Sequence, residues 1–121
     1  MIRADAGAER IASAFARAAA EGRAALVPYL MAGYPSLRAT LGVPFSDPIA
    51  DGPIIQRAAC AALAQGVTPR ACLELAGRLR ARGLGAPLLL MGYYNPILAW
   101  GPAAYASACR GAGVDGLIVP D

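Results

Sequence analysis

The sequence of 121 residues contains no histidine, and all eleven of its basic residues are arginine, so lysine is absent as well. These absences exclude histidine-based catalytic triads, His-ligated zinc, lysine Schiff bases and the lysine of a Walker phosphate loop. Proton transfer would therefore have to use aspartate, glutamate, tyrosine or cysteine. The acidic residues that fall in loops or at strand ends, rather than in helical patterns, are Asp47, Asp51, Asp115 and Asp121.

Cysteine is scarce too, and its spacing matches neither a metal site nor a disulfide scaffold. Cys60, Cys72 and Cys109 are too far apart for CxxC-type ligand pairs and too few for a disulfide framework. We expect small buried thiols, no metal and a reducing, cytoplasmic location. The chain also lacks an uninterrupted apolar run of about 18 residues, so no association with a membrane is expected.

Charge is low and spread along the chain. Charged residues make up 16% of the sequence, the formal net charge is +3, and the arginines are not interleaved with aromatic residues. Because nucleic-acid surfaces are usually denser in basic residues, no nucleic-acid partner is expected. The length and the 57% hydrophobic content fit a single domain over residues 1–121, with elements buried on both faces.

Apolar runs alternate with helical patterns along the sequence. Continuous apolar runs at 25–30, 87–91 and 116–119 predict buried strands. Because such strands are typical of parallel sheets covered on both faces, the predicted fold class is α/β. Alanine-rich segments with helical spacing, several opened by proline and closed by glycine, predict helices over 8–20, 53–66, 69–83 and 101–111.

A fourth strand near 41–45 is short and is interrupted by Pro44. Only residues 36–40 separate it from the turn that ends the first strand, whereas a parallel crossover needs about 10–12 residues including its helix. Two explanations are open. Either this strand is not a parallel neighbour of the first, or a helix and most of a strand have been deleted at this point.

The most distinctive stretch is the loop Leu41–Pro53, with the sequence Leu-Gly-Val-Pro-Phe-Ser-Asp-Pro-Ile-Ala-Asp-Gly-Pro. Its three prolines stiffen the backbone around Asp47 and Asp51. A stiff loop can hold an acid against a substrate, although both carboxylates could instead bond backbone N–H groups in Asx turns. In parallel architectures reactive groups gather at the carboxyl ends of strands, where Tyr29 and Tyr93 are also expected.

Four blocks stand in order along the chain, namely Leu26–Pro35, Leu41–Gln56, Met91–Pro96 and Gly113–Asp121. With these blocks the sequence resembles the tryptophan synthase alpha chain family over nearly its whole length. The resemblance implies a partial (β/α)8 TIM barrel, about its first half, with an internal deletion before the Leu-Gly-Val-Pro-Phe block. It implies a lyase of tryptophan biosynthesis that cleaves indole-3-glycerol phosphate to indole and glyceraldehyde 3-phosphate. The family passes indole to a pyridoxal-phosphate beta chain in an α2β2 complex, so the alpha chain itself needs no cofactor.

The resemblance also implies roles for individual residues. Asp51 matches the carboxylate that stabilises positive charge developing on the indole nitrogen during the retro-aldol cleavage. Tyr29, Met91 and Tyr93 match positions that wall the indole pocket. The residues that match loops facing the beta chain or communicating with it are Asp47, Pro48 and Asp121.

Two parts of the family's active site have no counterpart in this sequence. Thr40 stands where the family has the glutamate that acts as general acid and base, and the phosphate-binding loops come from the second half of the barrel. We therefore expect the 121 residues to be inactive on their own. One alternative is a non-catalytic module that binds a beta-type partner. Another is a different phosphate-binding barrel lyase or isomerase, which the spacing of Asp47 and Asp51 among the prolines disfavours.

Overall fold

A computed structural model describes residues 6–32 and 42–121 of the chain, and in those ranges it contains five helices and two short strands. No helix within these ranges is long and apolar enough to cross a membrane. In the second described range each strand is preceded by two helices, and this mixture of helices and parallel strands agrees with the α/β prediction. The helices are α1 Ala6–Ala20, α2 Pro53–Ala64, α3 Pro69–Ala81, α4 Tyr94–Trp100 and α5 Pro102–Gly111, and the strands are β1 Leu89–Met91 and β2 Gly116–Ile118.

Four segments of the chain lie side by side in sequence order, all parallel. β1 and β2 pair with Leu90 opposite Leu117, and single bridges join Met91 to Gly42 and Gly42 to Met31. The Gly42 N–H donates to the Leu30 carbonyl at 2.7 Å, and the Val43 N–H donates to the Met91 carbonyl at 2.8 Å. The segment at Gly42 is therefore a parallel neighbour of the first segment. The explanation that this strand is not a parallel neighbour is wrong. The connection itself, residues 33–41, lies outside the described residues.

The predicted strand over 25–30 is wrong as a regular strand, because only Met31 forms a bridge there. Among the described residues, its neighbour pairs with it through Gly42. Leu26, near the start of the predicted strand, is 88% exposed. The strands predicted at 87–91 and 116–119 are confirmed, although each observed strand has only three residues.

The predicted helix boundaries are confirmed where capping residues mark them. Thr68 has an extended backbone, and its hydroxyl accepts the Ala71 N–H at 3.2 Å, with Pro69 at the first helical position of α3. Gly83, with φ of +87°, provides the left-handed turn just after that helix. Helix α4 was not predicted. Its proline, Pro96, lies in the first turn of the helix, where a missing N–H is tolerated.

The core lies between the strands and helices α2 to α5. Leu90 is 1% exposed and packs in one cluster with Cys72, Ile97 and Tyr105. Burial raises the pKa of the Cys72 thiol to about 11, as expected for a structural cysteine. The expectation of buried thiols is wrong for Cys60, which α2 turns toward solvent.

Asp115 joins both strands to two helices at the amino end of the sheet. Its side chain is 2% exposed and accepts hydrogen bonds from Arg80 at 2.5 Å, from Arg10 of α1, and from the Leu88 N–H at 2.8 Å. A Cβ at Gly7 would collide with the Asp115 carbonyl, so α1 can approach only because that position is glycine. The sequence left Asp115 among the candidates for proton transfer. Its pairing and its place at the start of β2 make it a stabilising residue instead.

Asp115→Asn keeps the size of the side chain but removes the charge that two arginines share. We expect the free energy of unfolding to fall by roughly 2 kcal/mol, because breaking a buried ion pair leaves charged groups uncompensated. Urea unfolding followed by circular dichroism measures this change. The matched control is Glu21→Gln, which breaks the exposed pair with Arg23 and should cost under about 0.5 kcal/mol. Equal effects of the two substitutions would contradict a stabilising role for Asp115.

Candidate active site

The loop that follows Gly42 is held by its own backbone at the carboxyl end of the sheet. The Ile49 N–H donates to the Asp47 carbonyl at 2.9 Å, and the Asp51 N–H donates to the Pro48 carbonyl at 3.2 Å. The side-chain amide of Gln56, in the first turn of α2, donates to the Asp51 carbonyl at 2.8 Å. These bonds fix the backbone on both sides of Asp51.

The two carboxylates of this loop differ in their surroundings. Asp47 is exposed, and its carboxylate accepts a hydrogen bond from the Ser46 hydroxyl at 2.6 Å. Asp51 is half-buried, and its carboxylate has no hydrogen-bond partner among residues 6–32 and 42–121. Within those residues neither carboxylate accepts a backbone N–H, so the Asx-turn alternative is not supported. Asp51 is therefore the carboxylate whose acceptor oxygens are available to a ligand.

Tyr29 lies close enough to Asp51 for the carboxylate to influence its titration. Burial raises the pKa of Tyr29 above its ordinary value, and the electrostatic influence of Asp51, followed by that of Tyr93, raises it further. The phenol approaches the backbone at Gly42, where a Cβ would collide with the Tyr29 hydroxyl oxygen and Cζ. A glycine inside a strand pattern often marks such a close approach, and this was the signal in the sequence that could have identified Gly42.

Tyr93 follows β1 directly and is almost fully buried, with 5% of its surface exposed. Its ring packs on Phe45 with the ring centroids 5.4 Å apart. Its hydroxyl accepts the Ala50 N–H at 2.8 Å. Met91 lies two residues earlier, and because Leu90 packs into the helix-side core, the half-buried Met91 faces the opposite side of the sheet.

The remaining residues assigned by resemblance are near this surface or outside the described part of the chain. Pro48 is half-buried in the loop. Asp121 is exposed, and its carboxylate accepts the Tyr94 N–H at 2.9 Å at the start of α4, which is a favourable place for a negative charge. Thr40 lies outside the described residues.

A small, partly open cleft lies between the two strands and helices α4 and α5. Tyr93 belongs to its lining, whereas Tyr29, Asp51 and Met91 do not. The lining of this cleft is mainly apolar and offers little polar chemistry to orient a ligand. The described residues contain no group of three potential metal ligands. The arrangement best suited to chemistry is the open surface shared by Tyr29 and Asp51.

The titration of Tyr29 tests whether Asp51 faces it. Asp51→Asn should lower the pKa of Tyr29, because it removes a negative charge that opposes tyrosinate formation. Ultraviolet absorbance of tyrosinate during an alkaline titration measures the shift, with Tyr29→Phe identifying the signal. Asp47→Asn is the matched control, since Asp47 is exposed in the same loop and is not among the groups that raise the pKa of Tyr29. A Tyr29 pKa that responds equally to both substitutions would contradict the geometry.

Comparison with known proteins identifies the family. The family model described as tryptophan synthase alpha chain matches residues 15–121. The tryptophan synthase alpha chain of Roseiflexus castenholzii is 49% identical over 128 residues, which cover 93% of this chain and 49% of that protein. The Bordetella pertussis protein of the same name is 50% identical, with 93% of this chain and 46% of that protein covered.

Solved structures give the same result. Tryptophan synthase subunit alpha from Legionella pneumophila matches with a TM-score of 0.85 and 34% identity, over 93% of this chain and 49% of that one. Ligand-free tryptophan synthase from Mycobacterium tuberculosis matches with a TM-score of 0.84 and 38% identity, over 93% and 51%.

The chain thus spans about half the length of the relatives it matches. The alignment with the Roseiflexus protein runs over 128 residues, although this chain has only 121 residues and 93% of them take part. The Roseiflexus protein therefore contains residues that have no counterpart in this chain. The match also removes the alternative of a different phosphate-binding barrel enzyme. The chain folds as a partial (β/α)8 barrel and belongs to the tryptophan synthase alpha chain family.

Proposed function

We propose that this chain carries the indole-binding part of an active site that cleaves indole-3-glycerol phosphate to indole and glyceraldehyde 3-phosphate. The observation that supports the proposal is that the Asp51 charge raises the pKa of Tyr29, so the two groups lie near each other, in a chain of this family whose segments run parallel. Reactive groups of (β/α)8 barrels gather at that end of the strands.

Asp51 has the chemistry that this cleavage needs on the nitrogen side of the ring. Protonation of indole at C3, which precedes carbon–carbon cleavage, leaves positive charge on the ring nitrogen. A carboxylate that accepts the ring N–H stabilises charge that develops only toward the transition state, so it lowers the barrier more than it tightens substrate binding. The carboxylate of Asp51 has no competing partner among the described residues and is available for this role.

Tyr29 and Met91 provide the flat, apolar surroundings that an indole ring requires. Tyr29 is 38% exposed, so part of its ring is available to a ligand. Aromatic faces bind aromatic ligands through stacking and edge contacts. Met91 faces the side of the sheet opposite to the helix-side core, and its thioether adapts to irregular apolar ligands.

By resemblance to the family, this chain lacks two groups that the reaction needs, the general acid and the phosphate-binding loops. The general acid position is Thr40, and the phosphate loops of the family follow later strands of the barrel. We propose that the 121 residues alone release no indole. Activity would belong to a whole barrel that supplies both groups, acting without a cofactor of its own.

The test is the binding of indole against that of 1-methylindole, which has the same ring but no N–H. We expect indole to bind about tenfold more tightly, because a hydrogen bond to a charged acceptor contributes about 1.5 kcal/mol or more. Ligand-observed NMR titration measures both affinities. The preference should disappear in Asp51→Asn and persist in Asp47→Asn. Equal binding of the two ligands by the unsubstituted chain would show that the proposed role of Asp51 is wrong.

A second candidate function is a non-catalytic module that binds a tryptophan synthase beta chain. The observation that favours it is the exposure of two isoleucines close to Asp47 and Pro48, with Ile49 84% exposed and Ile54 73% exposed. Exposed apolar side chains around a stiff loop are suited to a protein partner.

A pull-down with a purified beta chain tests the module. Binding should weaken when Ile49→Asp introduces a charge at the centre of the exposed loop. Leu98→Asp, in the exposed part of α4, is the matched control and should leave the binding unchanged. Retention of the beta chain at background level by the unsubstituted chain would remove this candidate.

A further inference from the structure

Tyr93 is placed to act on the loop rather than on a ligand. Only 5% of its surface is exposed, so its ring offers little area to a substrate. Its hydroxyl points at the loop and accepts the Ala50 N–H at 2.8 Å. The role of wall residue, which the resemblance implied, leaves this hydrogen bond unexplained.

The position of Tyr93 is fixed from three sides. Its backbone is set by β1, which ends two residues earlier, and by α4, for which it is the N-cap residue with φ of −79° and ψ of 156°. Its ring packs against Phe45 at an interplanar angle of 31°. A side chain held in this way is a rigid point to which a loop can be attached.

The hydrogen bond from Ala50 attaches the loop immediately before the reactive carboxylate. Ala50 and Asp51 are consecutive, so a movement of the Ala50 N–H displaces the Asp51 backbone as well. Phe45 contacts the same tyrosine near the beginning of the loop. The loop is thereby joined to Tyr93 both before and after its exposed tip at Asp47.

We propose that Tyr93 is a positioning residue, whose hydroxyl, by accepting the Ala50 N–H, holds the Asp51 carboxylate on the surface it shares with Tyr29. The proposal rests on the proposed function, in which Asp51 faces the indole nitrogen. In this proposal the Tyr93 hydroxyl fixes the geometry of the loop, and Tyr29 and Met91 contact the indole ring.

Tyr93→Phe tests this role, because it keeps the ring and its contact with Phe45 but removes the acceptor. The effect of Asp51→Asn on the pKa of Tyr29 is measured in the unsubstituted chain and in the Tyr93→Phe background. Comparing the effect within each background cancels any direct influence of Tyr93 on Tyr29. We expect the shift to shrink to less than half in the Tyr93→Phe background.

A second readout follows the hydrogen bond itself. Amide hydrogen exchange at Ala50 should become about fivefold faster in Tyr93→Phe, as expected for the loss of one net hydrogen bond. Tyr94→Phe is the matched control, because its hydroxyl has no hydrogen-bond partner in the described part of the chain; it should change neither readout. Unchanged melting by circular dichroism would show that Tyr93→Phe is folded.

The proposal is overturned if the Tyr29 shift caused by Asp51→Asn has the same size in both backgrounds. It is overturned as well if the unsubstituted chain shows no nuclear Overhauser contact between the Ala50 amide proton and the Tyr93 ring, a measurement that needs no variant. Neither readout requires a ligand. Failure of the indole experiment would therefore count against the proposed function, and failure here would count against the role of Tyr93.

Discussion

The site depends on Gly42, which lies between the first segment and β1 and bridges to both. It forms parallel bridges with Met31 on one side and with Met91 on the other. A Cβ at this position would collide with the Tyr29 phenol and approach the Met31 sulfur to 3.1 Å. Glycine at this position therefore permits both the parallel pairing of the segments and the close approach of the Tyr29 side chain. Asp51 lies at the end of the loop that begins at this residue.

The two ends of the sheet have different physical roles. At the amino end Asp115 is buried and shared between Arg10 and Arg80, which joins α1 and α3 to the start of both strands. At the carboxyl end Asp51 is half-buried and has no partner among the described residues. A paired carboxylate stabilises the fold, whereas an unpaired one is available to a ligand, and this division between the ends is the rule in (β/α)8 barrels.

The sequence predicted much of the fold because local signals marked it. Thr68, Pro69 and Gly83 fix the ends of α3 without help from the rest of the chain. The strands were less predictable, since their length depends on pairing with neighbouring segments, and in the described part of the chain the first segment pairs through the bridge between Met31 and Gly42. Helix α4 was missed because it has only seven residues, too few for a clear helical pattern in the sequence.

The position of residues along the chain predicted which of them could belong to the site, but the sequence did not predict their side-chain contacts. Tyr29 and Asp51 were expected near the carboxyl ends of the strands, and the Asp51 charge is close enough to Tyr29 to raise the pKa of the phenol. The burial of Tyr93 and its bond to Ala50 depend on the path of the loop, which no local pattern encodes. The same holds for Asp115, whose sequence neighbourhood resembles that of a reactive acid although its partners are 35 and 105 residues away.

The most direct measurement is a crystal structure of the chain with indole bound. The account predicts the ring against Tyr29 and Met91, with its N–H donating to the Asp51 carboxylate at about 2.7–3.2 Å. Indole bound instead in the mainly apolar cleft between the strands and helices α4 and α5, with Asp51 turned away from Tyr29 into solvent, would contradict it.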